Sequence, residues 1–195
     1  MTKITHDWYL DEYINENWVY ADNVFSKDEC TKIINLFSSK LVQGTIGNND
    51  KLKEIRQSKV HLIESSNKDN QWVFQRLVSV ITQLNSQFFK YDLEKIETLQ
   101  FSEYDESYKG FYEKHIDMMH QSVGFRKLSF TVLLSDPKDY NGGELVLHFD
   151  KDPSFTRQEQ GGIVVFPSYS LHEVKPVTKG TRYALVGWVW GPRFK

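Results

Sequence analysis

Cysteine is almost missing from this sequence, and Cys30 alone cannot form a disulfide within the chain. Nothing therefore points to an oxidising compartment, and the shortage counts against a closed structural zinc site, whose four ligands usually include thiolates. Cys30 itself reads as a small buried hydrophobe on a helix. An excess of charge is missing too: 24 Lys and Arg against 26 Asp and Glu leave a net charge of -2, with no overall basic field to hold a phosphate backbone. No run approaches the roughly 18 apolar residues of a membrane span, and the opening MTKITHDWYLDEY has no apolar signal-peptide core. The expectation is a soluble cytoplasmic protein with neither membrane nor nucleic-acid partners. The HExxH helix of zinc hydrolases, the GxSxG of serine hydrolases and the GxxxxGK[ST] phosphate loop are all absent.

What is present is a globular composition, 39% hydrophobic and 14% aromatic over 195 residues, which suits one domain, 1–195, with a sizeable core. Residues 1–20 are aromatic and acidic without a period, and are expected to begin as an arm or strand over the body. Ser26 with Glu29 three residues on is a capping box, and Cys30, Ile33, Ile34 and Phe37 recur at helical spacing, which predicts a helix over 27–39. Gln43–Asp50 is rich in Gly and Asn, and Lys51–Lys59 is charged. Together they read as a mobile surface loop whose Lys51, Lys53, Arg56 and Lys59 form a solvated face. A short strand fits Val60, Leu62 and Ile63, and Val73, Leu77, Val80, Leu84 and Phe88 share one face of an amphipathic helix over about 70–89.

Beyond Lys95 short β-like runs are predicted over 96–104, 111–117, 127–134, 143–149, 162–166 and 181–190. Turns at Asp136-Pro137, Asn141-Gly142-Gly143, Gly161-Gly162 and Lys179-Gly180 punctuate them. Helical support over about 20–90 followed by a β core over about 95–190 implies the α+β class.

Chemistry concentrates in YEKHID, Tyr112–Asp117. In an extended strand His115 and Asp117 point the same way while Ile116 points into the opposite layer, so an imidazole and a carboxylate stand side by side. With one more imidazole they make a facial triad that holds Fe(II) and leaves its other positions open. His148-Phe149-Asp150 is a second pair of the same form, but its strand alternates so that it reads as the polar face of a half-buried strand. His115 and Asp117 are favoured because they follow Phe111-Tyr112 and precede a Met-rich loop. Among His6, His61, His120, His148 and His172, the last is favoured as third ligand, since it follows the apolar strand GIVVFP at a turn. Arg182 shares a strand face with Ala184, Val186 and Trp188, where a guanidinium is partly buried and needs an anion such as a dicarboxylate.

The order Tyr104, Tyr112, His115-Ile116-Asp117, Arg126, then LLSDPKDYNGGELVL, then FPSYSLHEVKPVTKGTRYALVGW resembles the prolyl 4-hydroxylase-like family of Fe(II)- and 2-oxoglutarate-dependent dioxygenases. The second half is especially similar to the PKHD-type hydroxylases, densely over about 95–190. The resemblance implies a double-stranded β-helix, a distorted jelly roll, with the N-terminal helices packed on one sheet. It implies His115, Asp117 and His172 as iron ligands, and Arg182 with Tyr104 on the distal carboxylate of 2-oxoglutarate. It also implies Tyr112, Arg126 and Trp188 near substrate, and Fe(II), 2-oxoglutarate, O2 and ascorbate as reductant. Leu133 departs from the pattern, since some prolyl hydroxylases have a second carboxylate-binding tyrosine there. The implied substrate is a proline-containing peptide or protein. Free proline, another amino acid, a nucleic-acid base and a non-catalytic jelly-roll binding module stand as alternatives. The resemblance further implies that Gln43–Lys59 folds over bound peptide, with Gly44, Gly47, Asn48 and Asn49 as hinges.

Overall fold

The computed structural model describes residues 17–44, 52–118, 125–149, 151–157 and 159–192. The expected capping box forms. The Ser26 hydroxyl accepts from the Glu29 N–H at 3.2 Å and the Glu29 carboxylate accepts from the Ser26 N–H at 2.8 Å, which starts α1 (Lys27–Phe37). Cys30, Ile33 and Phe37 form its buried face, so the thiol is indeed a core hydrophobe, and burial pushes it up to about 12. Before α1 lies β1 (Val19–Ala21), and after it β2 (Val42–Gln43). Residues 1–16, with His6, and 45–51 lie outside the described residues, and with them most of the expected Gly-Asn hinge. The expectation of a solvated loop over Lys51–Lys59 is corrected by the rest of that segment. Leu52–Ile55 is a short helix, α2, and Arg56–Gln57 and Lys59–Ile63 are strands β3 and β4. Arg56 is buried, because its guanidinium lies over an aromatic ring and not in water.

The second long helix, α3, runs from Gln71 to Leu84, and its buried residues are Val73, Phe74, Leu77 and Ile81. That corrects the predicted face. Val80 and Leu84 are only partly buried, and Phe88 is exposed because a wider π turn over Asn85–Phe89 breaks the 3.6-residue period. Strands follow: β5 (Lys95–Ile96), β6 (Leu99–Asp105), β7 (Phe111–His115), β8 (Phe125–Leu133), β9 (Tyr140–Gly142), β10 (Leu145–His148), β11 (Ser154–Phe155), β12 (Ile163–Pro167), β13 (Leu171–Val174) and β14 (Val177–Gly191). Lys179-Gly180, expected as a turn, lies within β14. Gly180 takes a positive φ of 71° there, with the Asp139 carbonyl oxygen 2.1 Å from where a Cβ would stand.

The major sheet has the order β1-β12-β8-β14-β6-β4-β2, with β5 and β9 also on β14, and the minor sheet the order β11-β10-β13-β7-β3. The pairs are antiparallel. This is the mostly antiparallel, distorted jelly roll with helices on one sheet. Period two divides the major sheet's side chains. Leu99, Phe101, Leu128, Phe130, Val132, Leu185 and Val189 pack with α1 and α3 in one core. Tyr104, Val164 and Phe166 turn the other way and meet Leu145, Leu147 and Val174 between the sheets. The candidate site opens in that second layer.

Candidate functional site

Antiparallel pairing of β7 with β13 sets His115 opposite His172, and directly opposed residues share a face, so the two rings come to 4.2 Å between centroids. His172 was expected at the turn after GIVVFP and instead lies one residue inside β13, where strand pairing fixes its direction. Asp117 was expected on the same strand as His115, but β7 ends at His115 and Ile116 is exposed at the cavity rim. What returns the carboxylate is backbone: the N–H groups of Asp117 and Met118 both donate to the Ser168 carbonyl at 3.0 Å. Ser168 is itself buried, donating its N–H to the Lys127 carbonyl and bonded at Oγ to the Ser129 hydroxyl.

One ligand atom from each of His115, Asp117 and His172 lies within 4.8 Å of the others. Hydrogen bonding decides what the imidazoles offer. His115 Nδ1 faces the Glu113 carbonyl at 2.7 Å and His172 Nδ1 the Ser170 carbonyl at 2.9 Å. A carbonyl only accepts, so each Nδ1 carries a proton, and in the neutral tautomer this selects it is Nε2 that presents the lone pair. Those Nε2 atoms lie 3.7 Å and 3.4 Å from the two Asp117 oxygens. Burial, then the neighbouring His172, pushes His115 down to about 4, so it is neutral at neutral pH. Two imidazoles and a carboxylate converging without a thiolate fit Fe(II).

The triad borders a cavity of about 390 Å³ that Tyr104, Tyr112, Arg126 and Trp188 also line, together with the apolar Leu145, Val174 and Val186. Arg182 is not on its wall. It stands opposite Tyr104 on the paired strands β14 and β6, 2% exposed, with its guanidinium 5.5 Å from the Tyr104 ring centre and its Nε buried without a hydrogen-bond partner. An orphaned buried guanidinium N–H fits a carboxylate acceptor. Tyr140, which the sequence reading missed, hydrogen-bonds Arg182; burial raises its phenol and the guanidinium opposes that rise. Only the neighbouring NGGEL could have pointed to it. Gly143 completes this corner with a φ of 68°, and a Cβ there would meet the Arg182 Cδ at 2.8 Å.

Arg126 braces the ligand segment. Its Nε lies 2.7 Å from a Glu97 carboxylate oxygen, its Nη1 donates to the Asp117 carbonyl at 3.3 Å, and its guanidinium stacks 3.9 Å from the Trp188 ring centre. Leu133 is buried opposite Ala184. The competing histidine, His148, is committed elsewhere: its Nε2 lies 2.8 Å from Glu173, which also binds Lys175. His61 stacks on Phe37, and His120 and Asp150 lie outside the described residues.

Residues 99–190 match the 2OG-Fe(II) oxygenase superfamily. A PKHD-type hydroxylase of Gloeothece citriformis is 43% identical over 97 residues, 49% of this chain and 43% of that protein. One of Prochlorococcus marinus is 42% identical over 96 residues, 49% of this chain and 42% of that protein. The matched stretch thus spans less than half the length of these curated relatives. In fold, a Pseudomonas putida prolyl-4-hydroxylase superposes with a TM-score of 0.71 at 20% identity, covering 91% of this chain and 94% of that one. A prolyl hydroxylase from Trichoplax adhaerens, in complex with a hypoxia inducible factor oxygen degradation domain peptide, gives 0.75 at 21% identity, covering 91% of this chain and 84% of that one. Among the described residues no helix is long and apolar enough to cross a membrane. Over residues 99–190 the chain is therefore similar to the 2OG-Fe(II) oxygenase superfamily and to the PKHD-type hydroxylases, and in fold it resembles the prolyl 4-hydroxylases.

Proposed function

We propose that this chain is a single-domain Fe(II)- and 2-oxoglutarate-dependent dioxygenase that hydroxylates a prolyl residue in a peptide or protein. The observation that carries the reading is the convergence of His115, Asp117 and His172 with both Nδ1 protons committed to backbone carbonyls. His115, Asp117 and His172 would hold the ion, and the cavity beside them would leave room for its other ligands. Arg182, helped by Tyr104, would hold the distal carboxylate of 2-oxoglutarate. When bound, Fe(II) and 2-oxoglutarate supply the oxidation: one atom of O2 enters the substrate C–H bond, the other enters succinate, and CO2 leaves.

The chain's own part is positional. Arg126 ties the Asp117 carbonyl to Glu97 and so fixes the ligand segment against the Trp188 ring. Leu145, Val174 and Val186 give the cavity apolar walls that limit water near the reacting centre. Tyr112, Arg126 and Trp188 meet the substrate at the opening. A peptide held by the Trichoplax neighbour supports a peptide rather than a nucleic-acid substrate. The test is succinate formation from 2-oxoglutarate and Fe(II), with and without proline-containing peptides. A gain of one oxygen atom in the peptide mass is expected, and succinate that never depends on Fe(II) would overturn the reading.

A further inference from the structure

Arg56 opens β3 opposite Tyr112 of β7 and lines the same cavity as the triad. It is only 6% exposed. Its Nε donates to the Ser58 hydroxyl at 2.6 Å, its guanidinium lies 4.7 Å from the Tyr112 ring centre, and its Nη2 is buried with no hydrogen-bond partner. Tyr112 stacks in turn on His115 at 3.6 Å between ring centres, so the guanidinium stands one ring away from a triad imidazole.

Three guanidiniums surround this site, and the other two have employment. Arg126 is neutralised by Glu97, and Arg182 sits behind Tyr104, where the proposed function gives it the cosubstrate. Among the described residues no carboxylate pairs with Arg56, and the only carboxylate on the cavity wall, Asp117, faces the two histidines. A buried guanidinium with an open N–H and no internal anion is unfavourable until an anion arrives, and its planar fork matches a carboxylate. Exposed Ile55 and Ile116 border the same opening, so a molecule entering there passes apolar side chains before it meets the charge.

We propose that Arg56 is a specificity-determining residue that anchors a carboxylate of the substrate beside the metal centre. The proposal rests on the dioxygenase part of the functional reading above and adds that the substrate carries a carboxylate near the reacting carbon. That group is either the α-carboxylate of a free amino acid or the side chain of Asp or Glu beside proline in a peptide.

The test measures binding, not turnover, by calorimetry on the full chain with Mn(II) and 2-oxoglutarate. One arm compares L-proline with L-prolinamide. The other compares a blocked proline peptide carrying Glu next to proline with the same peptide carrying Gln. In one arm the carboxylate member is expected to bind about tenfold tighter or more, as a charge-assisted pair in a secluded site does. Arg56→Gln should reduce that ratio to near one, with Arg56→Lys between, since it keeps the charge and loses the fork. If Arg56→Gln fails to fold, as its melting curve would reveal, Arg56→Lys and the wild-type ratios carry the test. Equal binding of both members in both arms, or a preference untouched by Arg56→Lys and Arg56→Gln, overturns the proposal. Wild-type protein that takes up no metal would sink the iron reading instead, because the carboxylate-to-amide ratio is read on the same protein either way.

Discussion

Leu185 and Val186 are neighbours on β14, yet one belongs to the packed core under α1 and α3 and the other to the wall of the cavity. The same division runs across the major sheet. Its helix face is closed by Leu99, Phe101, Phe130, Val132 and Leu185, and Gly187 is required there because a Cβ would fall 2.4 Å from the Phe130 ring. Its cavity face carries Gln100, Ser102, Tyr104, Thr131, Arg182 and Trp188, and leaves Arg182 Nε and Trp188 Nε1 buried without partners. Apolar packing is gathered on one face, and unpaired polar groups on the other. The minor sheet repeats the pattern, with His172 turned to the cavity and Glu173, holding His148, turned away.

The largest expected effect separates the two faces of the minor sheet. His115→Ala, Asp117→Ala and His172→Ala should each abolish metal uptake and turnover, whereas His148→Ala should keep both; calorimetry with Mn(II) and a succinate assay read the two. An inactive His148→Ala beside an active His115→Ala would place His148, not His115, in the ligand set. Next comes Arg182→Ala. Losing a guanidinium paired with a carboxylate in a secluded site costs on the order of 2 to 5 kcal/mol, so the 2-oxoglutarate requirement should rise by about tens-fold or more with metal binding intact. Arg182→Lys should fall between, and an unchanged requirement would remove Arg182 from the cosubstrate site.

On the helix face the effect should be on stability alone. Leu185→Ala removes a fully buried side chain and should lower unfolding free energy by about 2 to 5 kcal/mol in urea, with the 2-oxoglutarate requirement of the folded protein unchanged. A changed requirement without a loss of stability would show that the faces are not independent. Smaller again is the cap: Ser26→Ala should cost about 1 kcal/mol. Glu29 adds a pH signature. The Ser26 backbone N–H holds its carboxyl below the usual 4.5, so its contribution is present above that value and fades as pH falls through the lowered one. Glu29→Gln should flatten that part of the pH–stability curve.

Local rules carried much of this arrangement. The capping box could be read from Ser26 and Glu29, and β8 and the 181–190 part of β14 from alternation, because those signals lie within a few residues. His115, Asp117 and His172 were recognisable by residue type and order. Their tautomers were not, since these depend on carbonyls that point inward only after folding. Arg56 was read as a solvated charge because β3 is two residues long and its ring partner, Tyr112, is distant in sequence. Tyr140 escaped for the same reason, its tie to Arg182 being made across the fold. The preference for His115 over His148 rests on context, and the contact that occupies His148, with Glu173, is made 25 residues away.

The carbonyl of Ser168, which receives the amides of both Asp117 and Met118, bears on the entropy of metal capture. With the backbone beneath the carboxylate already held, an arriving ion has only the torsions of one short side chain left to order there, instead of a loop. Ordering a backbone residue costs on the order of 1 to 2 kcal/mol, so affinity that a floppy segment would lose is retained. The fold itself thus places the backbone under Asp117. The amide hydrogens of Asp117 and Met118 are accordingly expected to exchange with solvent equally slowly with and without metal.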